Sequence, residues 1–274
     1  MGNSSTSYVH GYTYREAIRL NDQADTLDSI IHNDTIFPDE SLVLEAGCGV
    51  GAQTKIIAPK NPGSTFISVD LSEDSVAEAK KIISSLHIDN VEFRQADIFH
   101  LPFGDDTFDS VIVCFVLEHL SDPVSALGEL KRVLKTGGTI MVIEGDHGSA
   151  FFYPDSLDAH IAIDCQVKLQ RQSGGNSNIG RELYPLLRAA EFSDISVSPR
   201  MVYVDNSKPG LVDGFIKNTF TAMIEGVGEK AVEEGITDRT TFEKGISDLY
   251  RTAEPDGVFS YTFFKAFATK KGVV

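Results

Sequence analysis

The sequence is poor in residues that mark several classes of protein. It has no tryptophan and only three cysteines, Cys48, Cys114 and Cys165, which are far apart and lack the spacing of a metal site. An odd number of distant cysteines argues against a disulfide framework, so we expect buried thiols in a reducing compartment. The sequence therefore favours a cytoplasmic protein and predicts no bound metal.

Positive charge and long apolar segments are also scarce. Lys and Arg number 24 against 40 Asp and Glu, which makes the formal net charge -16. Because binding to phosphates needs clustered Lys and Arg, we expect no nucleic-acid partner. No window approaches the roughly 18 apolar residues that a membrane span needs, and the N-terminus lacks the layout of a secretory signal.

A regular alternation of apolar strands and helices is present from residue 42 onward. We predict strands at 42–45, 65–70, 91–95, 108–115, 139–143, 195–204 and 258–269. Strands that are apolar throughout and separated by helices indicate a parallel sheet covered on both faces. The predicted fold is α/β, with a doubly wound, seven-stranded, mostly parallel sheet.

Three segments fall outside this alternation, within what we predict to be a single domain over 1–274. Apolar residues at three- and four-residue steps predict an N-terminal helical arm over 8–36. The segments 147–178 and 207–255 are too long for simple loops, and we interpret them as helical lids over the sheet edge.

The stretch from Val43 to Gly51 is the centre of the predicted site. An apolar strand ends at Glu45, and glycines follow at positions 47, 49 and 51 before a helix begins near Ala52. Glycine lets the backbone turn tightly and approach a ligand, and the free N–H groups of a helix start attract anions. This pattern predicts a mouth that binds a nucleotide or nucleoside.

Two cofactors are compatible with the spacing of this mouth. Gly47, Gly49 and Ala52 fit the dinucleotide pattern, and Asp70 lies about 20 residues further on, as in nicotinamide-dependent oxidoreductases. Glu45 argues against a dinucleotide, because a carboxylate at the strand end repels a pyrophosphate. It suits a ligand that carries an ammonium group and a sulfonium.

Further polar residues follow the next strands, at the edge where a doubly wound sheet binds its ligand. Asp70 can accept the ribose hydroxyls, and Asp97 can accept the amino group of adenine while Ile98 packs on the ring. His119, after the fourth strand, can touch the ligand. Each position also has a purely structural interpretation: Asp70 as a helix cap, Asp97 as a loop acid and His119 as a helix-start residue.

Seven short motifs occur in order between about residues 40 and 146. They are Glu45 to Gly51, Asp70-Leu71-Ser72, Gln95-Ala96-Asp97, Leu101-Pro102-Phe103, Phe108-Asp109, Leu117-Glu118-His119-Leu120 and Leu134 to Gly138. Together they resemble class I S-adenosylmethionine-dependent methyltransferases of the ubiquinone/menaquinone-methyltransferase-like group (methyltransferase type 11).

This resemblance implies a Rossmann-like methyltransferase fold with S-adenosylmethionine as the cofactor. The glycine loop would hold the methionine part of the donor, Asp70 the ribose, and Asp97 with its neighbour the adenine. The cofactor-binding residues that it implies are Glu45, Gly47, Cys48, Gly49, Gly51, Asp70, Leu71, Asp97, Ile98, Val116 and His119.

The predicted reaction is in-line transfer of a methyl group to a small-molecule acceptor, in a monomer or homodimer. Since the sulfonium methyl is already activated, the protein mainly positions the acceptor and excludes water. An oxygen or carbon acceptor can need a base, for which His119, Glu144, Asp146 and His147 are candidates. The predicted catalytic residues are His119, Asp146 and His147. Asp146 and His147 belong to a turn after the fifth strand that could equally anchor a lid.

Other polar residues of the later segments could also face the acceptor: Tyr153, His160, Gln166, Gln170, Arg181 and Tyr184. The alternating Phe259, Tyr261 and Phe263 of the last strand are interpreted as sheet core. Two alternative functions remain compatible with the sequence. One is an NAD(P)-dependent oxidoreductase on the same mouth, and the other is a non-catalytic binding module whose lid docks a protein.

Overall fold

The computed structural model describes residues 14–272, with side chains described from residue 19 onward. Its centre is a seven-stranded sheet in the order β3-β2-β1-β4-β5-β7-β6. The strands are β1 Leu42–Ala46, β2 Thr65–Asp70, β3 Val91–Gln95, β4 Phe108–Cys114, β5 Leu134–Tyr153, β6 Ser193–Val204 and β7 Val258–Thr269. Strands β1 to β5 pair in parallel, and β7 lies antiparallel between β5 and β6.

Helices cover both faces of this sheet. They are α1 Tyr14–Ile31, α2 Thr54–Lys60, α3 Glu73–Ser85, α4 Pro123–Val133, α5 Leu157–Gln172, α6 Leu183–Ala189, α7 Pro209–Leu211, α8 Ala222–Glu225, α9 Gly228–Glu233 and α10 Arg239–Arg251. Short 3-10 turns occupy Leu117–His119 and Ile179–Glu182, and a π-helix occupies Val212–Thr221. The predicted arm over 8–36 corresponds to α1 in part, and its residues 8–13 lie outside the described residues.

Local side-chain caps start several of these helices. The Ser72 side chain accepts a hydrogen bond from the Ser75 N–H at the start of α3, and Asp122 does the same for Ser125 ahead of α4. These side chains satisfy backbone donors that a helix start leaves free. Both helix starts therefore have a local cause in the sequence.

The central strands β1, β2 and β4 are buried on both faces, as predicted, whereas the edge strands β3 and β6 expose many of their residues. Val43 of β1 and Met141 of β5 face a core shared with α1, α5 and α10. Their sequence neighbours Leu44 and Val142 face a second core shared with α4 and α6. Because successive side chains of a strand point to opposite faces, a strand covered on both sides must be apolar throughout.

The fifth strand is much longer than predicted. The expectation of a strand over 139–143 followed by a loop is wrong, because β5 continues to Tyr153 and pairs with β7 along most of its length. The register between the two strands shifts between Asp146 and Phe151. The segment 147–178 therefore begins with strand residues, and its helical part is α5.

The π-helix in the segment from residue 209 to 251 packs against the start of β7. Phe215 and Phe220 of the π-helix are buried, and their ring centroids lie 6.0 and 4.8 Å from that of Phe259. Whether this segment and α5 move as lids stays a prediction. Among the described residues, no helix is long and apolar enough to cross a bilayer, and no three His, Cys, Asp or Glu side chains are grouped to hold a metal ion.

A buried histidine that joins α1 to α2 predicts a pH-dependent stability. His32 is fully buried, with its ring nitrogens bonded to Thr35 Oγ1 at 3.0 Å and Gln53 Oε1 at 2.7 Å. Burial lowers its pKa from 6.5 to about 4, aided by the charge of Lys265. The unfolded chain therefore binds a proton at a higher pH than the folded chain does.

We expect the free energy of unfolding to fall as pH is lowered from 6.5 to 4, and His32 to account for up to about 3 kcal/mol of that fall. Urea unfolding at a series of pH values should show a shallower pH dependence in His32→Gln than in the wild type. An identical slope in the two proteins would contradict this assignment.

Candidate active site

The loop after β1 holds three glycines in the left-handed region of backbone space, with φ values of +80, +52 and +79° at Gly47, Gly49 and Gly51. The N–H groups of Gly47 and Cys48 both donate to the Val69 carbonyl, at 2.8 and 2.9 Å. A Cβ added at Gly47 would lie 2.3 Å from Val116 Cγ2, whereas one added at Gly49 would meet nothing within 4 Å. The loop is therefore packed against Val116 at Gly47. At Gly49 it has free space that a ligand could occupy.

Two carboxylates flank this loop. Glu45 is buried, and its Oε2 accepts hydrogen bonds from Thr54 Oγ1 and Ser68 Oγ, both at 2.6 Å. Burial raises the pKa of the Glu45 carboxyl despite these two bonds. Asp70 Oδ2 accepts the Gly49 N–H at 2.8 Å. Negative charge thus lies at the predicted binding mouth.

Asp70 also joins the loop to the next helix. Its second oxygen, Oδ1, accepts the Ser72 N–H at 2.9 Å, so one carboxylate orders both the glycine loop and the start of α3. Leu71 between them is 61% exposed, which is high for a large apolar side chain. The surface beside Asp70 therefore presents an apolar contact next to a hydrogen-bond acceptor.

The predicted adenine residues follow β3. Asp97 Oδ1 accepts the Phe99 N–H at 2.9 Å, and its Oδ2 lies 3.4 Å from His100 Nδ1. Ile98 is half-buried and packs against the second core. Asp97 remains part-exposed at the carboxyl edge of the sheet, on the same side as Asp70.

The middle of β5 organises the turn after β4. Glu144 is fully buried, and its Oε1 accepts the N–H groups of Val116 at 3.0 Å and Leu117 at 2.7 Å. Burial and the neighbouring Glu118 raise the pKa of Glu144 well above its ordinary value. Its Oε2 is buried without a hydrogen-bond partner among the described residues. Glu144 therefore holds in place the turn that carries Val116 and His119.

His147 lies three residues further along β5 and is also buried. Its Nδ1 lies 3.0 Å from the Ser177 carbonyl oxygen and 3.2 Å from Tyr261 Oη. Its ring centroid is 5.8 Å from that of Tyr261 and 6.1 Å from that of Phe220. Burial lowers the pKa of His147, which favours the neutral form of the ring.

Asp146 has a different environment from its neighbour. Its two carboxylate oxygens form a bidentate ion pair with Arg181, at 2.8 Å to Nε and 2.6 Å to Nη2. Its Oδ1 also accepts the Gly148 N–H at 3.1 Å. With both oxygens engaged, Asp146 is suited to anchoring the segment after α5 rather than to moving a proton.

Buried amides of α5 connect the remaining polar groups. Gln166 Nε2 donates to Gln170 Oε1 at 2.9 Å, and Ser177 Oγ donates to the same oxygen at 2.8 Å. Gln170 Nε2 lies 2.9 Å from the Glu118 carbonyl oxygen and 3.3 Å from His119 Nδ1. Because this network spans α5 and the turn after β4, it brings His119 and Ser177 into one polar cluster.

The structure brings together only some of the residues that the sequence singled out. Gln166, Gln170 and Arg181 join the site, whereas Tyr153 and Tyr184 are exposed and His160 pairs with Asp155 outside it. Sequence reasoning missed Ser177 and Phe220 and assigned Tyr261 to the sheet core alone. No local pattern marks these three residues, because they reach the site through tertiary contacts with His147 and, for Ser177, also with Gln170.

The strand order with an antiparallel seventh strand, a glycine loop after β1 and acids at the ends of β1 and β2 define a Rossmann-like class I methyltransferase fold. The chain belongs to the methyltransferase-domain family, whose family model matches residues 38–191. The family that the seven motifs indicate and the predicted fold are therefore confirmed.

Individual relatives agree with this family. The chain is 36% identical over 147 residues to an uncharacterised methyltransferase of Schizosaccharomyces pombe, covering 52% of each chain. It is 35% identical over 102 residues to a demethylmenaquinone methyltransferase of Clavibacter sepedonicus, covering 37% of this chain and 40% of that one. The chain spans about half the length of the first curated relatives it matches.

A solved structure shares the fold at low identity. A phosphoethanolamine N-methyltransferase of Haemonchus contortus, solved with S-adenosylhomocysteine, has a TM-score of 0.56 and 16% identity. The match covers 92% of this chain and 53% of that chain. At this identity the likeness shows a common fold and not a common acceptor.

Proposed function

We propose that this protein transfers the methyl group of S-adenosylmethionine to a small-molecule acceptor. The observation that carries the proposal is the pair of carboxylates, Glu45 and Asp70, on either side of a glycine loop that is open at Gly49. Negative charge favours a cationic ligand at this mouth and disfavours the pyrophosphate of a dinucleotide. Membership of the methyltransferase-domain family supports the same donor.

Each part of the donor has a matching group around the loop. Both hydroxyls that bind Glu45 use Oε2, so its Oε1 is the oxygen that a ligand ammonium would meet. Asp70 keeps lone pairs for ribose hydroxyls while it accepts two backbone N–H groups. Leu71 and Ile98 offer apolar contact to adenine, and Asp97 offers an acceptor for its amino group.

The remaining cofactor candidates line the loop and the turn after β4. Cys48 is buried, and burial raises the pKa of its thiol well above the ordinary value, which argues for a packing role. Gly51 packs close to Ala79, with 3.1 Å between an added Cβ and the Ala79 Cβ. Val116 and His119 are held by Glu144 and Gln170, and we propose that they face the methyl group.

The donor supplies an activated methyl group when it is bound, and the chain supplies positioning and exclusion of water. Of the three catalytic candidates, His147 has a buried nitrogen that accepts no bond from the described residues. His119 is tied to Gln170, and Asp146 is paired with Arg181. We therefore propose that His119 and His147 face the acceptor and that Asp146 positions the segment around His147.

We propose that the protein acts in the cytoplasm. Cys48, Cys114 and Cys165 are free thiols, which suits a reducing cytoplasm. We propose a monomer or homodimer, which size-exclusion chromatography with light scattering would measure. The segments around α5 and from α7 to α10 are proposed as lids over the acceptor.

Titration calorimetry tests the donor directly. We expect S-adenosylmethionine and S-adenosylhomocysteine to bind and NAD to give no heat of binding at the same concentrations. Binding of NAD alone would establish the oxidoreductase alternative instead. Incubation of labelled donor with a small-molecule extract should yield labelled products, and donor binding without any transfer would favour the non-catalytic alternative.

A further inference from the structure

The hydrogen bonds of His147 define which of its ring nitrogens carries the proton. The Ser177 carbonyl oxygen, 3.0 Å from Nδ1, can only accept a hydrogen bond, whereas Tyr261 Oη, 3.2 Å away, can accept or donate one, so the two contacts together assign the hydrogen to Nδ1. A neutral ring then has a bare lone pair at Nε2. Nε2 is therefore an acceptor with a defined tautomer.

This acceptor is buried and has no hydrogen-bond partner among the described residues. His147 is 5% exposed, and Nε2 is one of few buried side-chain atoms in the described chain that lack a partner. A buried polar atom without a partner costs about 1–3 kcal/mol, so such atoms in a site point to a bound ligand. The group that satisfies Nε2 must be a hydrogen-bond donor.

We propose that the methyl acceptor carries an aromatic or enolic hydroxyl group, which binds to His147 Nε2 and gives its proton to it. The proposal rests on the methyl transfer proposed above. Aromatic rings surround His147, with Phe220 and Tyr261 on two sides and Phe215 behind them. Flat, apolar surroundings of this kind suit an acceptor whose hydroxyl is attached to an unsaturated ring or chain.

A hydroxyl acceptor needs a base to remove its proton more than an amine acceptor does. The oxygen of a phenol or enol becomes a strong nucleophile once its proton leaves, whereas a neutral amine nitrogen already has a lone pair. In the proposed step, the O–H bond breaks and the proton moves to Nε2. The released electron pair forms a bond to the methyl carbon, and the C–S bond breaks with its electrons left on sulfur.

The new bond can form at the acceptor oxygen or at the carbon to which its charge is delocalised. In the second case that carbon afterwards loses its hydrogen to solvent as a proton. Both products require the same hydroxyl group and the same proton transfer to Nε2. Neither step needs an oxidant, a reductant or a metal.

Nitrogen NMR tests the tautomer without relying on turnover. In ¹⁵N-labelled protein saturated with S-adenosylhomocysteine, long-range proton–nitrogen spectra should show His147 with a protonated Nδ1 and a bare Nε2. The His147→Gln variant assigns the signals. Phenol should shift the Nε2 signal, and anisole, which is the same ring without the hydroxyl hydrogen, should not. A protonated Nε2, or equal effects of the two probes, would overturn the proposal.

The rate at which labelled products form provides the second test. We expect products methylated at or beside a phenolic or enolic oxygen, and their formation should fall about 100-fold in His147→Gln. The control variant, His87→Gln, alters an exposed loop residue and should leave the rate unchanged. Products methylated on an amine nitrogen, formed equally by His147→Gln, would contradict the proposal. If the wild type binds no donor, the proposed methyl transfer is wrong. If it binds the donor and methylates a different kind of acceptor, only the proposed hydroxyl acceptor is wrong.

Discussion

Replacing Asp70 with alanine is expected to weaken the binding of S-adenosylmethionine about 100-fold. The carboxylate holds the glycine loop through Gly49 and the start of α3 through Ser72, and it is the proposed acceptor for the ribose hydroxyls. A hydrogen bond to a charged group contributes roughly 1.5–3 kcal/mol. Asp70→Ala loses the ribose contact and also the bonds that order the loop, so the loss of binding free energy should approach ~3 kcal/mol. Titration calorimetry of the donor measures the change.

Two variants separate this effect from a general loss of stability. Asp70→Asn keeps one oxygen acceptor and should bind the donor with an affinity between those of the wild type and Asp70→Ala. Asp238→Ala removes a similar cap, which accepts the Thr241 N–H at the start of α10. It should lower stability modestly and leave donor affinity unchanged. Wild-type affinity in Asp70→Ala would remove Asp70 from the donor site.

The substitution Gly49→Ala should weaken donor binding more than tenfold with little effect on the fold. An added Cβ meets no atom within 4 Å, so the protein itself has room for it. The left-handed backbone at φ +52° costs an alanine roughly 1–2 kcal/mol. A donor lying against the loop would occupy the same space as the new methyl group. Urea unfolding and donor titration measure the two effects separately.

Gly137→Ala is the matched control for this variant. Gly137 also has a left-handed backbone, at φ +85°, and an added Cβ there meets nothing within 4 Å. It lies near the start of β5, well before Glu144 and His147 in the same strand. We expect a similar loss of stability and an unchanged donor affinity. Equal donor affinities in the two alanine variants would show that the donor does not lie over Gly49.

Much of the fold could be predicted because its signals are local. Strands that are covered on both faces must be apolar at every position, so β1, β2 and β4 are marked by short apolar runs. The helix starts at Ser72 and Asp122 are marked by side chains that cap backbone N–H groups three residues later. The glycine loop is recognisable because its glycines allow both a tight backbone turn and the close approach of a ligand.

The extension of β5 could not be predicted in this way. Residues 144–149 contain two glycines and several polar side chains, which locally resemble a loop. Their strand conformation depends on pairing with β7, more than 100 residues away along the chain: Glu144 lies opposite Phe264, and Asp146 opposite Thr262. Sequence periodicity carries no information about such a partner.

The amino-acid sequence by itself determined the parallel sheet, the glycine loop and the acids that belong to a methyltransferase domain, because each depends on residues close together in the chain. Only the tertiary structure decided what the neighbours Asp146 and His147 can do. Arg181 occupies both oxygens of Asp146, while the Ser177 carbonyl lies within hydrogen-bond distance of His147 Nδ1 and Nε2 has no partner among the described residues. The protonation and availability of a side chain are set by groups that folding brings from distant parts of the chain.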